Sequence, residues 1–405
     1  MQHIMWRSAI MPALRSNGRC TALAMCVWLT SPVVALAQGA AAPATTQADA
    51  QGTHDAQGAH DPGGNESAPV GAEYPALHIS GFANIDFASQ PKSEGPRGFT
   101  EGQFVLHLAA ALAPRVSFFG EVSFTPRTDA GTGNPPATGF NAEVERSIVR
   151  FDASDELKVS FGRYHTPINW WNTAFHHGLW LQTTISRPEM IQFGGRFLPV
   201  HFVGALAEGA FPANGWNLNY QAGVGNGRWN VISRPGDAGD NNDRPAWVMN
   251  VFVKPDSLLG LQVGGSAYFD RISVPGQPEY NEQIVSAHAV WLHEDPELLA
   301  EIADVLHTPV GSPATESSLA YYVQGAYRLP GAGRLFKPYY RFEHNNVNPN
   351  DPAFAGVVLN LDGSTIGVRY DISNYVAIKT EERIFKQAVG QPWMTGWYFQ
   401  VAFTF

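Results

Sequence analysis

Residues Leu261 to Asp270, LQVGGSAYFD, sort by parity. Leu261, Val263, Gly265, Ala267 and Phe269 fall on one face of an extended chain, and Gln262, Gly264, Ser266, Tyr268 and Asp270 on the other. Successive side chains of a strand point to opposite faces, so this period of two predicts a strand that is apolar on one side and polar on the other. Leu218, Tyr220, Ala222 and Val224 against Asn217, Asn219, Gln221 and Gly223 repeat the arrangement. So do Val116, Phe118, Gly120, Val122 and Phe124 against Ser117, Glu121 and Ser123, and Ile366, Val368, Tyr370 and Ile372 against Thr365, Gly367, Arg369 and Asp371.

A soluble sandwich alternates in the same way, so three further features carry the fold class. Many segments run about ten residues, near the roughly 9–11 of a tilted membrane strand. Aromatic residues sit near segment ends on the apolar parity, as at Trp247, Phe269, Phe336 and Trp397, in the manner of interfacial girdles. Above all, the connections alternate in length. Segments near 76–88, 101–113, 115–125, 140–152, 156–164, 197–210, 215–225, 246–254, 258–269, 282–293, 297–307, 318–329, 335–344, 362–372, 375–386 and 395–405 are read as strands. The even-numbered ones are followed by brief turns such as AP, ASDE and SN, and the odd-numbered ones mostly by longer loops such as 126–139, 226–245 and 345–361. This predicts an all-β chain: a transmembrane antiparallel barrel of about sixteen strands over 75–405, wide enough to hold water. The segments near 197–210 and 297–307 alternate poorly, and the parity around Glu145 to Ser147 suggests a bulge.

The segments before the barrel read differently. Arg7, Arg15 and Arg19, the apolar runs CTALAMCVWL and VVAL, and Ala35-Leu36-Ala37 make residues 1–37 a secretory signal peptide. Residues 38–74, rich in Ala, Gly, Gln, Thr and Pro, are expected to be a flexible low-complexity leader, with solvated His54 and His60. Both cysteines, Cys20 and Cys26, lie in the removable segment, which excludes disulfides, Cys-zinc sites and a cysteine nucleophile from the exported protein. With 36 acidic residues against 26 basic, three of them in that segment, the charge argues against nucleic acid as a partner. No G-x-S-x-G or H-E-x-x-H motif is present, so no enzyme is expected, although a triad assembled by the fold stays open as an alternative. No cofactor is expected.

WYFQVAFTF, Trp397 to Phe405, places Trp397, Phe399, Val401, Phe403 and Phe405 on one face. It resembles the closing strand of bacterial outer-membrane barrels, and that resemblance implies that Phe403 and Phe405 serve as the signal read by the barrel assembly machinery. LKVSFGRYHTPINWW resembles the GRxxTPxG strand and loop start of porins in the phosphate-selective and related groups, with Asn169 in place of the last glycine. YQAGVGNGR, FKPYYRFEH and GVRYDISNYVAIKTE also look like porin strands. The resemblance covers most of 76–405. It implies a homotrimer among the lipids of the outer membrane of a Gram-negative bacterium, and a third loop folded into the barrel to narrow it.

Two sets of functional residues follow. The polar parity of a water-filled barrel faces inward, which makes Glu121, Arg146, Arg150, Lys158, Arg341, Glu343, Arg369, Lys379, Glu381 and Arg383 the candidate pore lining. Opposed charges across a narrow lumen would order water and filter ions. The second set is the connection from His165 to about Arg196, the longest in the chain, with His165, Trp170, Trp171, His176, His177, Trp180, Arg187 and Glu189. Its NWWNTAFHHGLWLQ run admits a metal site, a sugar platform or a constriction. Adjacent residues of an extended chain diverge, so His176 and His177 are expected to ligate jointly only with help from His165 or Glu189; the constriction is favoured and no metal is assigned. Passive diffusion of small hydrophilic solutes is the expected function. A phosphate-type anion channel and a barrel enzyme or surface receptor are the alternatives, and the acidic balance leans toward cations.

Overall fold

The computed structural model describes residues 74–193, 196–351, 353–387 and 391–405; the signal-peptide and leader readings, with His54 and His60, lie outside them. Sixteen strands account for most of these residues: β1 Ala76–Ser89, β2 Gly98–Ala113, β3 Val116–Pro126, β4 Phe140–Asp152, β5 Lys158–His165, β6 His201–Phe211, β7 Leu218–Asn226, β8 Ala246–Val253, β9 Leu261–Ile272, β10 Tyr280–Leu292, β11 Glu297–Pro309, β12 Glu316–Ala326, β13 Phe336–Asn346, β14 Leu361–Ser373, β15 Val376–Lys386 and β16 Met394–Thr404. Each pairs antiparallel with its sequence neighbours, and β16 pairs with β1, closing the barrel. All sixteen anticipated segments are strands, including the two that alternate poorly. Among the described residues, no helix is long and apolar enough to cross a membrane.

The two parities acquire distinct surroundings. Along β10, Glu282, Ile284, Ser286, His288 and Val290 are buried, while Val285 between them is 58% exposed. Trp247, Phe269, Phe336 and Trp397 are likewise exposed on the outer face, where the sequence reading placed its aromatic girdles. The inward parity includes a fully buried row of charge on β11, β13 and β15, with Glu301, Arg341, Glu343, Lys379 and Glu381 each at most 2% exposed.

Those inner side chains are covered by the 166–200 connection. Ile168, Trp170, Trp171, Phe175, Met190 and Ile191 form one hydrophobic cluster with the inward-facing Tyr268, Ile284, Val305 and Tyr322 and with Phe354 of the 347–360 connection. The core of this protein therefore lies on the inner wall. Arg228, fully buried, pairs with Glu282 at 3.0 Å and donates to the carbonyls of Phe197 and Ile232, each at 2.7 Å, tying a third connection into the cluster.

Two local devices shape the wall. Glu121 pairs with Arg146 but Val122 pairs with Val144, so Glu145 is an extra residue on β4, the bulge anticipated from the sequence. A bulge breaks strict alternation, and Glu145 and Arg146, although consecutive, both reach groups on the inner side. At the closure, Gly81 exchanges backbone hydrogen bonds with Phe405 at 2.9 and 3.0 Å. A Cβ at Gly81 would lie 2.7 Å from the backbone carbonyl oxygen of Val105 as well as 2.6 Å from the Phe405 ring, so the approach requires glycine.

Candidate functional site

The site grows from the base of the longest connection. β5 ends on His165 and β6 begins on His201, and the two are register partners, so their imidazoles stand side by side with centroids 5.4 Å apart. The chain leaves through Thr166 and Pro167 and turns at Asn169, whose φ of +60° lies in the left-handed region. Asparagine is one of the few residues besides glycine that enters that region readily.

Beyond the turn the backbone is held by side chains of the inner wall. The Asn169 N–H donates to Ser266 Oγ of β9 at 2.9 Å. Glu301 of β11 accepts the N–H groups of Trp170 and Trp171 at 2.9 and 2.6 Å. These are the first donors of the single-turn helix α1, Trp171–Phe175, and a carboxylate satisfies them well. His176 continues the turn with φ −55° and ψ −46°.

That turn corrects the expectation that His176 and His177 diverge. Helical neighbours are rotated by about 100° rather than 180°, and both imidazoles join the pair already at the loop base. One donor atom from each of His165, His176, His177 and His201 lies within 4.8 Å of the others. Centroid separations are 4.3 Å for His165–His176, 4.5 Å for His176–His177 and 4.6 Å for His176–His201. Phe193 packs over His176 and His177.

The surroundings prepare these rings in two ways. Nδ1 of His176 lies 3.0 Å from Asn172 Oδ1, and in the tautomer that donates to that oxygen the Nε2 lone pair is free; the Arg187 guanidinium, 3.1 Å from the same nitrogen, competes as a donor for the other tautomer. Burial first, then the nearby His165 and Arg187, holds the His176 imidazole well below its ordinary pKa, in the neutral form that ligates metals. Behind the rings stand two carboxylates. Glu145 comes within 2.9 Å of His201 Nε2 and 3.2 Å of His177 Nε2, and Glu121 within 3.3 Å of His165 Nε2. These contacts are close in distance but poorly aimed: both ring nitrogens of His165 and His177, and Nε2 of His201, are buried without a hydrogen bond of good geometry. Arg146 and His107 hold Glu121, at 2.6 and 2.8 Å, and Arg163 reaches Glu145 at 3.4 Å.

Glu189, the other anticipated helper, is not in the cluster; its N–H donates to Glu343 at 2.6 Å and its carboxylate accepts from Gln192. His201 and Glu145 were missed. His201 was legible through hairpin geometry, because the last residue of one strand and the first of the next face each other. Glu145 was hidden by the bulge.

The remaining anticipated residues divide. Lys379 donates to the carbonyls of Leu179, Gln182 and Thr184, the last two at 2.8 and 3.1 Å. Arg341 donates to the Ser186 carbonyl at 2.9 Å and its hydroxyl at 2.7 Å, and Arg369 to the carbonyls of Trp180 and Gln182. Glu381 accepts from the N–H groups of Ile185 and Ser186. These inward charges hold the connection rather than line open water. Arg150 pairs with Asp152 and Glu208, and Lys158 is the register partner of both acids. Arg383 faces Glu343 at 3.7 Å. Trp170 and Trp171, 2% and 0% exposed, offer no face on which a sugar could stack. Trp180 stacks on Phe82 instead.

No protein-family model matches the chain, and no curated protein matches it. Solved structures do. The anion-selective porin from Comamonas acidovorans is similar with a TM-score of 0.59 at 11% identity, over 82% of this chain and 100% of that one. The outer membrane channel DcaP of Acinetobacter baumannii gives 0.55 at 10% identity, over 82% and 97%. Salmonella typhi OmpF, in a complex with daunomycin, gives 0.54 at 10%, over 81% and 97%. The chain has the porin-type barrel fold of these outer-membrane proteins.

Proposed function

We propose that this chain is an outer-membrane diffusion channel for small hydrophilic solutes and ions, not an enzyme, and that it works as a homotrimer. The carrying observation is the closed sixteen-stranded barrel with an apolar outer face and an inner wall that carries charged and polar side chains beside the apolar cluster under the 166–200 connection, a structure that satisfies every strand ladder in lipid. The 166–200 connection, bonded to inward side chains from β9 to β15, is read as the constriction. Arg341, Lys379 and Arg369 form a basic row, but their donors are committed to loop carbonyls, which weighs against a phosphate-type anion ladder.

Planar-bilayer recording of the purified, heat-modifiable protein tests the reading. Stepwise conductance is expected, with a reversal potential in a salt gradient that assigns the preferred ion sign. A folded barrel that inserts but passes no current would overturn it.

A further inference from the structure

We propose that His165, His176, His177 and His201 bind one divalent transition-metal ion of the zinc class, which fastens the 166–200 connection to β5 and β6.

Four imidazoles suit such an ion, and zinc accepts a tetrahedral set without electronic penalty. Metal–nitrogen distances of about 2.1 Å place the donors of a tetrahedral site roughly 3.4 Å apart. The donors here lie within 4.8 Å, so side-chain rotations of about an ångström complete the sphere. The strongest observation is the state of the rings. Nδ1 of His165 and Nδ1 of His177 are buried with no hydrogen-bond partner, while Nε2 of His165, His177 and His201 each faces a carboxylate oxygen at 2.9–3.3 Å, and an orphaned buried polar atom is costly. A purely structural role leaves that cost unanswered, whereas a cation satisfies the lone pairs together.

The second layer agrees. Metal-bound histidines usually give their other N–H to a carboxylate or carbonyl oxygen. Asn172 Oδ1 meets His176 Nδ1, Glu145 stands against His177 and His201, and Glu121 against His165. The bulge that turns both Glu145 and Arg146 to this side thus has a use: Glu145 serves the cluster while Arg146 holds Glu121.

The test uses the untagged, folded protein in detergent, stripped with chelator, with folding checked by heat-modifiable migration. Zinc chloride titrated against a chromophoric chelator should load one ion per chain. Cobalt chloride should give the intense visible bands of a four-coordinate ion. His176→Ala with His201→Ala should weaken zinc binding by more than about 100-fold, and Glu145→Gln, a positioning change, by roughly 10- to 100-fold. His293→Ala, at a solvated turn, and His54→Ala with His60→Ala should leave binding unchanged. The proposal is overturned if the wild type takes up no zinc, if cobalt gives only a weak six-coordinate spectrum, if the ligand double variant retains affinity, or if affinity disappears with the leader histidines. Conductance of the metal-stripped protein is a separate reading, so loss of the metal claim leaves the channel claim standing.

Discussion

The ammonium of Lys379, on β15, donates to the backbone carbonyl of Gln182 at 2.8 Å, across 197 residues of sequence. The same ammonium reaches Leu179 and Thr184, so one wall cation gathers three carbonyls of a segment that has few backbone partners of its own. Lys379→Met should strand buried acceptors at about 1–3 kcal/mol each while leaving the barrel ladder intact. The expected outcome is protease cleavage within 179–187 of an otherwise folded barrel and noisier single-channel current. Wild-type resistance and quiet current in the variant would remove Lys379 from this role.

Asn169 predicts a contrast between two small residues. At φ +60°, Asn169→Gly should be close to neutral and Asn169→Ala should cost roughly 1–2 kcal/mol, the left-handed penalty for a residue with a Cβ. Urea titration of the two variants, followed by fluorescence of the neighbouring tryptophans, measures the difference; equal midpoints would contradict the assigned strain.

Val285, exposed near the middle of β10, faces outward. Val285→Arg should destabilise the barrel in lipid vesicles by about 2–4 kcal/mol. The check is reversible urea unfolding in vesicles, where an unchanged midpoint would place Val285 away from the hydrocarbon.

Glu189 supplies a pH dependence. Burial raises its carboxyl above the ordinary value; Arg383 opposes the shift and Glu343 adds to it. A raised folded-state pKa means that the folded chain holds this proton more tightly than the unfolded chain does. The associated stability is fully present below the unfolded value of about 4.3 and is lost as pH rises through the folded value. Glu189→Gln should therefore match the wild type in acid and gain on it toward neutrality. Urea midpoints from pH 4 to 8 measure the gap, and a constant gap would contradict the sign.

The barrel was legible because its signal is local and repeated. Alternation at LQVGGSAYFD and at most of the other segments needs no knowledge of distant partners, and the lengths of the connections order the two rims. Even the bulge showed as a break of parity at Glu145. The histidine cluster was half legible: HHG was visible, and the hairpin logic joining His165 to His201 was present but unused. What misled was the assumed extended backbone at His176. Its helical turn depends on Glu301, 130 residues away in sequence from Trp171, and no local pattern announces such a cap. The role of Lys379, Arg341 and Glu381 was hidden for the same reason. Parity shows that a side chain points inward but not that a loop waits there.

The exchange between Gly81 and Phe405 also bears on the order of assembly. β1 leaves the ribosome first and β16 last, so one of the longest loop closures the chain can make must precede completion of the ladder. Until then both terminal strands carry unpaired edges, ready to join any other strand. The closure between β1 and β16, and not any single hairpin, is therefore the step that removes the last open edge.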